Sequence, residues 1–264
     1  MGMFGMGGYT RPGRGLSKEE IEAETPLKVF FSVLGRKFRS ILGLNMLYFA
    51  CNLPFILIWY IPIIGAGESF DIFYRYFLSV AGLMILATGG IGVFAPGFFY
   101  VLRNYSRQQH AWVVKDFFDA VKKNIKQSSA MLVIDIIVFF LWHNAVVSYS
   151  GNGFFPVAAR TILCIAAYIF YTMHGYIYLI MLGYDMKLKD ILKNAFLFVL
   201  IKLPKNIAVT VVMMLISIIT FGNSAQFGLM VSFVIAPALL GYISIFANDS
   251  TVTKYMKKKN SLQE

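Results

Sequence analysis

Residues 128–149 read SSAMLVIDIIVFFLWHNAVVSY. The apolar residues are continuous rather than alternating, and the only carboxylate among them is Asp135. A helix rises about 1.5 Å per residue, so about 20 such residues cross a hydrocarbon core about 30 Å thick. A helix also closes its own backbone hydrogen bonds, which lipid cannot do for it; a barrel strand would show period-two alternation instead. The stretch therefore reads as a membrane-spanning helix. Working outward, five further runs have the same character: 41–64, 72–102, 156–182, 204–221 and 226–247. The expected fold is an all-α membrane protein with six transmembrane helices arranged as three hairpins.

Composition agrees. Of 264 residues 58% are hydrophobic, 16% aromatic and only 14% charged, and the mean hydropathy is +0.67. A water-soluble surface needs roughly a quarter of its residues charged. The net charge of +11 is not laid out as a basic stripe with interleaved aromatics, which excludes a nucleic-acid reader. Instead 22 of the 24 Lys and Arg residues fall in the leader, in the stretches 103–126 and 187–205, and in the tail after Asn248. Only Arg75 and Arg160 fall on the other side. Positive charge is retained in the cytoplasm, so both termini are expected inside a bacterial cytoplasmic membrane, against anionic headgroups. The first run follows a charged leader with no small-residue cleavage site, and is expected to stay in the membrane. Cys51 and Cys164 lie in apolar runs, so no disulfide framework or metal site is expected.

The cytoplasmic connections carry a second pattern. Leu27, Phe30, Phe31, Leu34 and Phe38 recur at helical spacing, as do Val114, Phe117, Phe118, Val121 and Ile125, and Leu188, Ile191, Leu192, Ala195 and Val199. Each set predicts an interfacial amphipathic helix lying in the headgroup layer ahead of one hairpin. The return spans carry comparable text: Ala95-Pro96-Gly97, Met173-His174-Gly175 and Ala236-Pro237-Ala238. Three repeats in one orientation follow, related by an axis along the membrane normal. The expected organisation is a leader at 1–25, helix-plus-hairpin units at 26–102, 111–184 and 186–247, and a basic tail at 248–264, in one membrane domain.

Tyr9-Thr10-Arg11-Pro12-Gly13, Leu44-Asn45-Met46-Leu47-Tyr48, Cys51-Asn52-Leu53-Pro54, and Tyr100-Val101-Leu102-Arg103-Asn104 followed by His110-Ala111 and Asp116-Phe117 resemble the YesL-like family of bacterial membrane proteins. Lys122-Lys123-Asn124-Ile125-Lys126-Gln127-Ser128 extends the resemblance, which is clear from Tyr9 to Ser128 and general beyond. The family has no settled activity and supplies no catalytic residues. What the resemblance implies is an accessory role in carbohydrate uptake, with a membrane partner such as a sugar ABC importer. After Leu53-Pro54 the chain departs from the family's short turn, because residues 55–64 are longer and more apolar.

Candidate functional residues are the polar groups inside the spans. Asp135 is expensive at its depth unless it faces protein or water. His174, on the antiparallel fourth span, is expected at similar depth and could pair with it, either as a fixed clamp, the favoured reading, or as a coupled titrating pair. Asn45 and Asn52, two turns apart, and His143 with Asn144 near the outer surface, are candidates for polar packing or a solute pathway. Pro54, Pro62, Pro96 and Pro237 are expected to kink their helices. Phosphate-binding, zinc-protease and nucleophile-turn signatures are absent from the sequence, so no enzyme and no cofactor is expected. A self-sufficient secondary transporter or channel stands as the alternative, and a membrane enzyme acting on a lipid-linked substrate as a remoter one.

Overall fold

Helix α1 (Pro26–Gly65) is one uninterrupted rod. It joins the first amphipathic pattern and the first apolar run without a break, so the expected separate interfacial helix is absent. The same holds for α3 (Val113–Ser148). Nothing between the two patterns in either segment stops the backbone ladder: no proline or glycine intervenes between Val113 and Ser148, and in α1 the glycines at 35 and 43 are tolerated. The third unit does have a separate helix, α5 (Leu188–Ile201), followed after Lys202 by α6 (Leu203–Phe221). Pro204 makes the difference, since its missing N–H removes one ladder bond and it fits the first turn of a new helix.

The computed structural model describes residues 26–65, 92–221 and 225–260, and every element among them is helical. The remaining helices are α2 (Ala95–Ser106), α4 (Phe154–Gly183), α7 (Ala225–Val234) and α8 (Ala236–Asn260). Three segments are long and apolar enough to cross a membrane: Val113–Ser148, Phe154–Gly183 and Leu203–Thr220. They expose Ile136, Phe140, Ile162, Phe155, Leu215 and Ile219 along their flanks. So much contiguous apolar surface is untenable in water and ordinary against acyl chains. The described elements are all helical, with three helices long and apolar enough to cross a membrane, which points to a membrane protein.

Of the second expected span, 72–102, only the end from Gly92 lies within the described residues. There the chain turns at 92–94, with Gly92 at φ +117°, and α2 starts at Ala95. Pro96 sits in the first turn of that helix, so it opens a helix rather than kinking one. The sixth expected span, 226–247, is two helices, α7 and α8, parted at Ile235. Pro237 likewise occupies the first turn of α8. Helix α1 passes through Pro54 unbroken, and the side chain of Pro62 lies outside the described residues.

Local signals account for the helix starts. Asp116 in the first turn of α3 takes a 2.8 Å bond from the Trp112 backbone N–H, filling one of the orphan donors of a helix N-terminus.

The core sits where α2, α4 and α8 pack on one another. Phe98, Phe99, Tyr176, Tyr178 and Tyr242 are all fully buried there. Each of the three also takes an amphipathic segment on its flank. Gly97 of α2 lies against Phe117 and Val121 of α3, Tyr176 of α4 rings with Phe198 of α5 at 5.7 Å, and Tyr242 and Phe246 of α8 pack on Phe30 of α1. The first two contacts join neighbours in sequence. The third joins the chain's far ends and closes the ring.

Candidate functional site

Three amides, Asn45, Asn206 and Gln127, and one carboxylate, Asp135, make hydrogen bonds between elements of this ring. Asn45, fully buried on α1, stands opposite the break between α7 and α8. Its Nδ2 donates to the carbonyls of Ser232 and Phe233 at 2.9 and 2.7 Å, and its Oδ1 accepts from the Ala238 N–H at 2.9 Å. In an intact helix the Phe233 carbonyl would be satisfied by residue 237, which is proline and has no N–H. Ser232 and Ala238 lose their helical partners in the same break. A single side chain thus supplies partners for three of the backbone groups left over at the break, as a bilayer interior requires.

Asn206 repeats the device at the junction of α5 and α6. Its Nδ2 donates to the Val199 carbonyl at 3.1 Å and its Oδ1 accepts from the Tyr176 hydroxyl at 2.7 Å. Gln127 donates to the Met186 carbonyl in the connection between α4 and α5. Asn52 donates to the Tyr48 carbonyl in its own helix, and its Oδ1 lies 3.1 Å from where a Cβ on Gly92 would stand. A side chain at position 92 would be strained by the positive φ and would sit tight against the Asn52 amide.

The structure brings Asp135 and His174 together. Both are buried, and His174 Nε2 lies 3.0 Å from Asp135 Oδ1. The other ring nitrogen, Nδ1, lies 2.9 Å from the Phe170 carbonyl, one turn back on α4. Asp135 Oδ2 and the Tyr178 hydroxyl are buried and make no hydrogen bond of good geometry among the described residues, although Tyr178 faces the Gly92 backbone and interacts electrostatically with Asp135 and Tyr48. His143 and Asn144 are not part of this cluster. His143 is buried beside the Phe139 ring, and Asn144 is exposed and bonds back to Phe140 of its own helix.

A second polar cluster, not anticipated from the sequence, clasps the C-terminal ends of α2 and α4 to the middle of α8. Asp249 of α8 accepts from Arg103 Nε at 2.9 Å and from Arg107 Nε at 2.6 Å. Arg107 also reaches Thr253. The Arg103 guanidinium lies over Gly183, where a Cβ would come within 3.0 Å of it, and so places positive charge at the C-terminal end of α4. Burial pushes the neighbouring Tyr184 phenol up, and Arg103 and Arg107 oppose that shift. The available signal was Asp249 alone: a carboxylate two residues beyond an apolar run, ahead of the basic residues of the tail.

Asp249→Ala is expected to destabilise the folded chain by about 2 to 3 kcal/mol, the worth of hydrogen bonds to charged groups when one partner stays buried. Arg107→Ala should cost under about 1 kcal/mol, because that side chain is a third exposed. Denaturant titration in detergent micelles reads both, and equal losses would contradict the difference in burial.

The described residues contain no group of three or more His, Cys, Asp or Glu placed to hold a metal ion. Fold and site together define a helical membrane protein whose broken helices are bridged by buried amides. No family model, no curated protein and no solved structure matches the chain.

Proposed function

We propose that this chain is a multi-pass protein of a bacterial cytoplasmic membrane, with six crossings in three hairpins, and that it serves as an accessory component of carbohydrate uptake beside a sugar ABC importer. The observation that carries the topology is the placement of 22 of 24 basic residues on one side of the apolar runs. The ring-closing contact of α8 with α1 supports three related units, since it repeats between chain ends what α2 makes with α3 and α4 with α5. An accessory role fits a centre filled by aromatic rings and Asn45 and Asn206 engaged in bonds between helices. The carbohydrate link rests on the resemblance of residues 9–128 to the YesL-like family. No enzymatic activity and no cofactor form part of this reading.

Reporter fusions at Met1 and after Glu264 are both expected to be shielded from outside in intact cells, and exposure of one alone would remove a crossing. Crosslinking in native membranes, followed by identification of attached proteins, tests the role. Recovery of subunits of a sugar importer is expected; a chain that crosslinks to nothing and purifies alone under every mild condition would refute it.

The second reading, a self-sufficient secondary transporter, draws on the buried Asp135–His174 pair and the broken sixth apolar run, both features found in transport pathways. Proteoliposomes holding only this chain should then show solute flux driven by a gradient.

A further inference from the structure

We propose that Asp135 and His174 form a proton-binding site between α3 and α4, and that the link between these helices is closed only while a shared proton is bound. The inference comes from counting hydrogens. A carbonyl oxygen accepts and never donates, so the 2.9 Å contact with Phe170 requires a proton on His174 Nδ1. That proton is then unavailable to the 3.0 Å contact between Nε2 and Asp135 Oδ1, which needs one of its own. Whether it is drawn as imidazolium with carboxylate or as imidazole with carboxylic acid, the pair holds two protons and no net charge.

Removing the shared proton leaves two poor choices. Either two lone pairs face each other across 3.0 Å, or the ring takes the other tautomer and Nδ1 turns a lone pair on the Phe170 carbonyl. One of the two bonds is lost in each case, and a net negative charge stays among the spans. Uptake of one proton from water reverses this, taking the pair from one negative charge to none. Among the described residues Tyr178 of α4 interacts electrostatically with Asp135 and in turn with Tyr48 of α1, and His143 lies two turns further along α3. Asp135 Oδ2, buried without a partner among the described residues, is the open position on the carboxylate.

Asp135→Asn separates the proton from the bond, because an Asn amide can donate to Nε2 while Nδ1 keeps its proton, so both contacts are made with no shared proton. In an unfolded chain Asp is ionised above about pH 3.9 and His is protonated below about pH 6.5. Between those values the folded and unfolded chains hold equal numbers of protons on this pair, and its contribution to stability is constant. Above about 6.5 the unfolded chain has lost a proton that the folded pair retains, so stability falls as pH rises, by up to tenfold in the unfolding constant per pH unit.

The experiment is unfolding of the full chain in lipid nanodiscs between pH 5 and 9, wild type against Asp135→Asn. The expected result is a wild-type unfolding constant that rises relative to the variant between pH 6.5 and 8.5, by up to about a hundredfold over the two units. Superimposable profiles would overturn the proposal. Should the variant not fold, nitrogen-15 NMR of histidine-labelled wild type at pH 7.5 decides: a proton on Nδ1 of His174 together with one on, or hydrogen-bonded to, Nε2 supports it, and a bare Nδ1 or an Nε2 with no proton beside it overturns it. Neither result bears on the accessory role, which stands or falls on partner capture.

Discussion

Replacing Asn45 by leucine is expected to cost about 2 to 5 kcal/mol, three interhelical hydrogen bonds at ~0.6 to 1.7 kcal/mol each. The size follows from what the amide does. It supplies two donors and one acceptor to Ser232, Phe233 and Ala238, whose own helical partners are lost at the α7–α8 break. Leucine fills comparable space and satisfies none of them. Asn45→Asp gives a sharper discrimination: it keeps the acceptor for Ala238 but turns a carboxylate oxygen toward two carbonyls. It is expected to be at least as damaging as leucine unless it binds a proton. Unfolding by a graded denaturant in mixed micelles measures both. A leucine variant as stable as wild type would mean that the break finds other partners.

Gly97→Ala is the second large effect. A Cβ at that position would stand 2.4 Å from the Phe117 carbonyl oxygen and 2.8 Å from Val121 Cγ2. The nearer atom is backbone, so no rotamer change relieves the contact and α2 must move off α3. We expect a loss of about 3 kcal/mol, the upper end of the cost of overpacking. Gly175→Ala should cost less, because its close neighbours are the ends of the Ser244 and Asn248 side chains, which can turn away. Gly43→Ala meets nothing within 4 Å and serves as the control, with stability unchanged or slightly raised. A Gly97 variant that behaves like the Gly43 variant would show that α2 and α3 can part without cost.

Particular residues show where sequence reasoning reached and where it stopped. The apolar runs at 128–149, 156–182 and 204–221 are legible because length and hydropathy are properties of one segment taken alone. Pro96 and Pro237 were legible as interruptions but not as helix starts. Whether a proline bends a helix or begins a new one depends on what receives the orphaned carbonyls, and at Pro237 the receiver is Asn45, 187 or more residues away in sequence. The extra helical pattern at 113–125 was visible, whereas its fusion with the following span was not. Amphipathic periodicity reports which face is apolar, and it is silent on whether the axis turns. Arg103 counted in the sequence only as one of the basic residues of 103–126, and Asp249 carried no reading; only the approach of α8 to α2 makes them a clasp.

Two kinds of determination are therefore separable in this chain. Its sequence alone settled that the protein is helical and lives in lipid, and led us to expect its basic residues on the cytoplasmic side, because those follow from the transfer energies of single side chains added along a segment. Tertiary structure alone decided which helices break, which amide closes each break, that α8 returns to α1, and that His174 faces Asp135 with both ring nitrogens engaged. Those outcomes depend on hydrogen bonds between atoms far apart in the chain, and a donor's partner is fixed by geometry that no local pattern encodes.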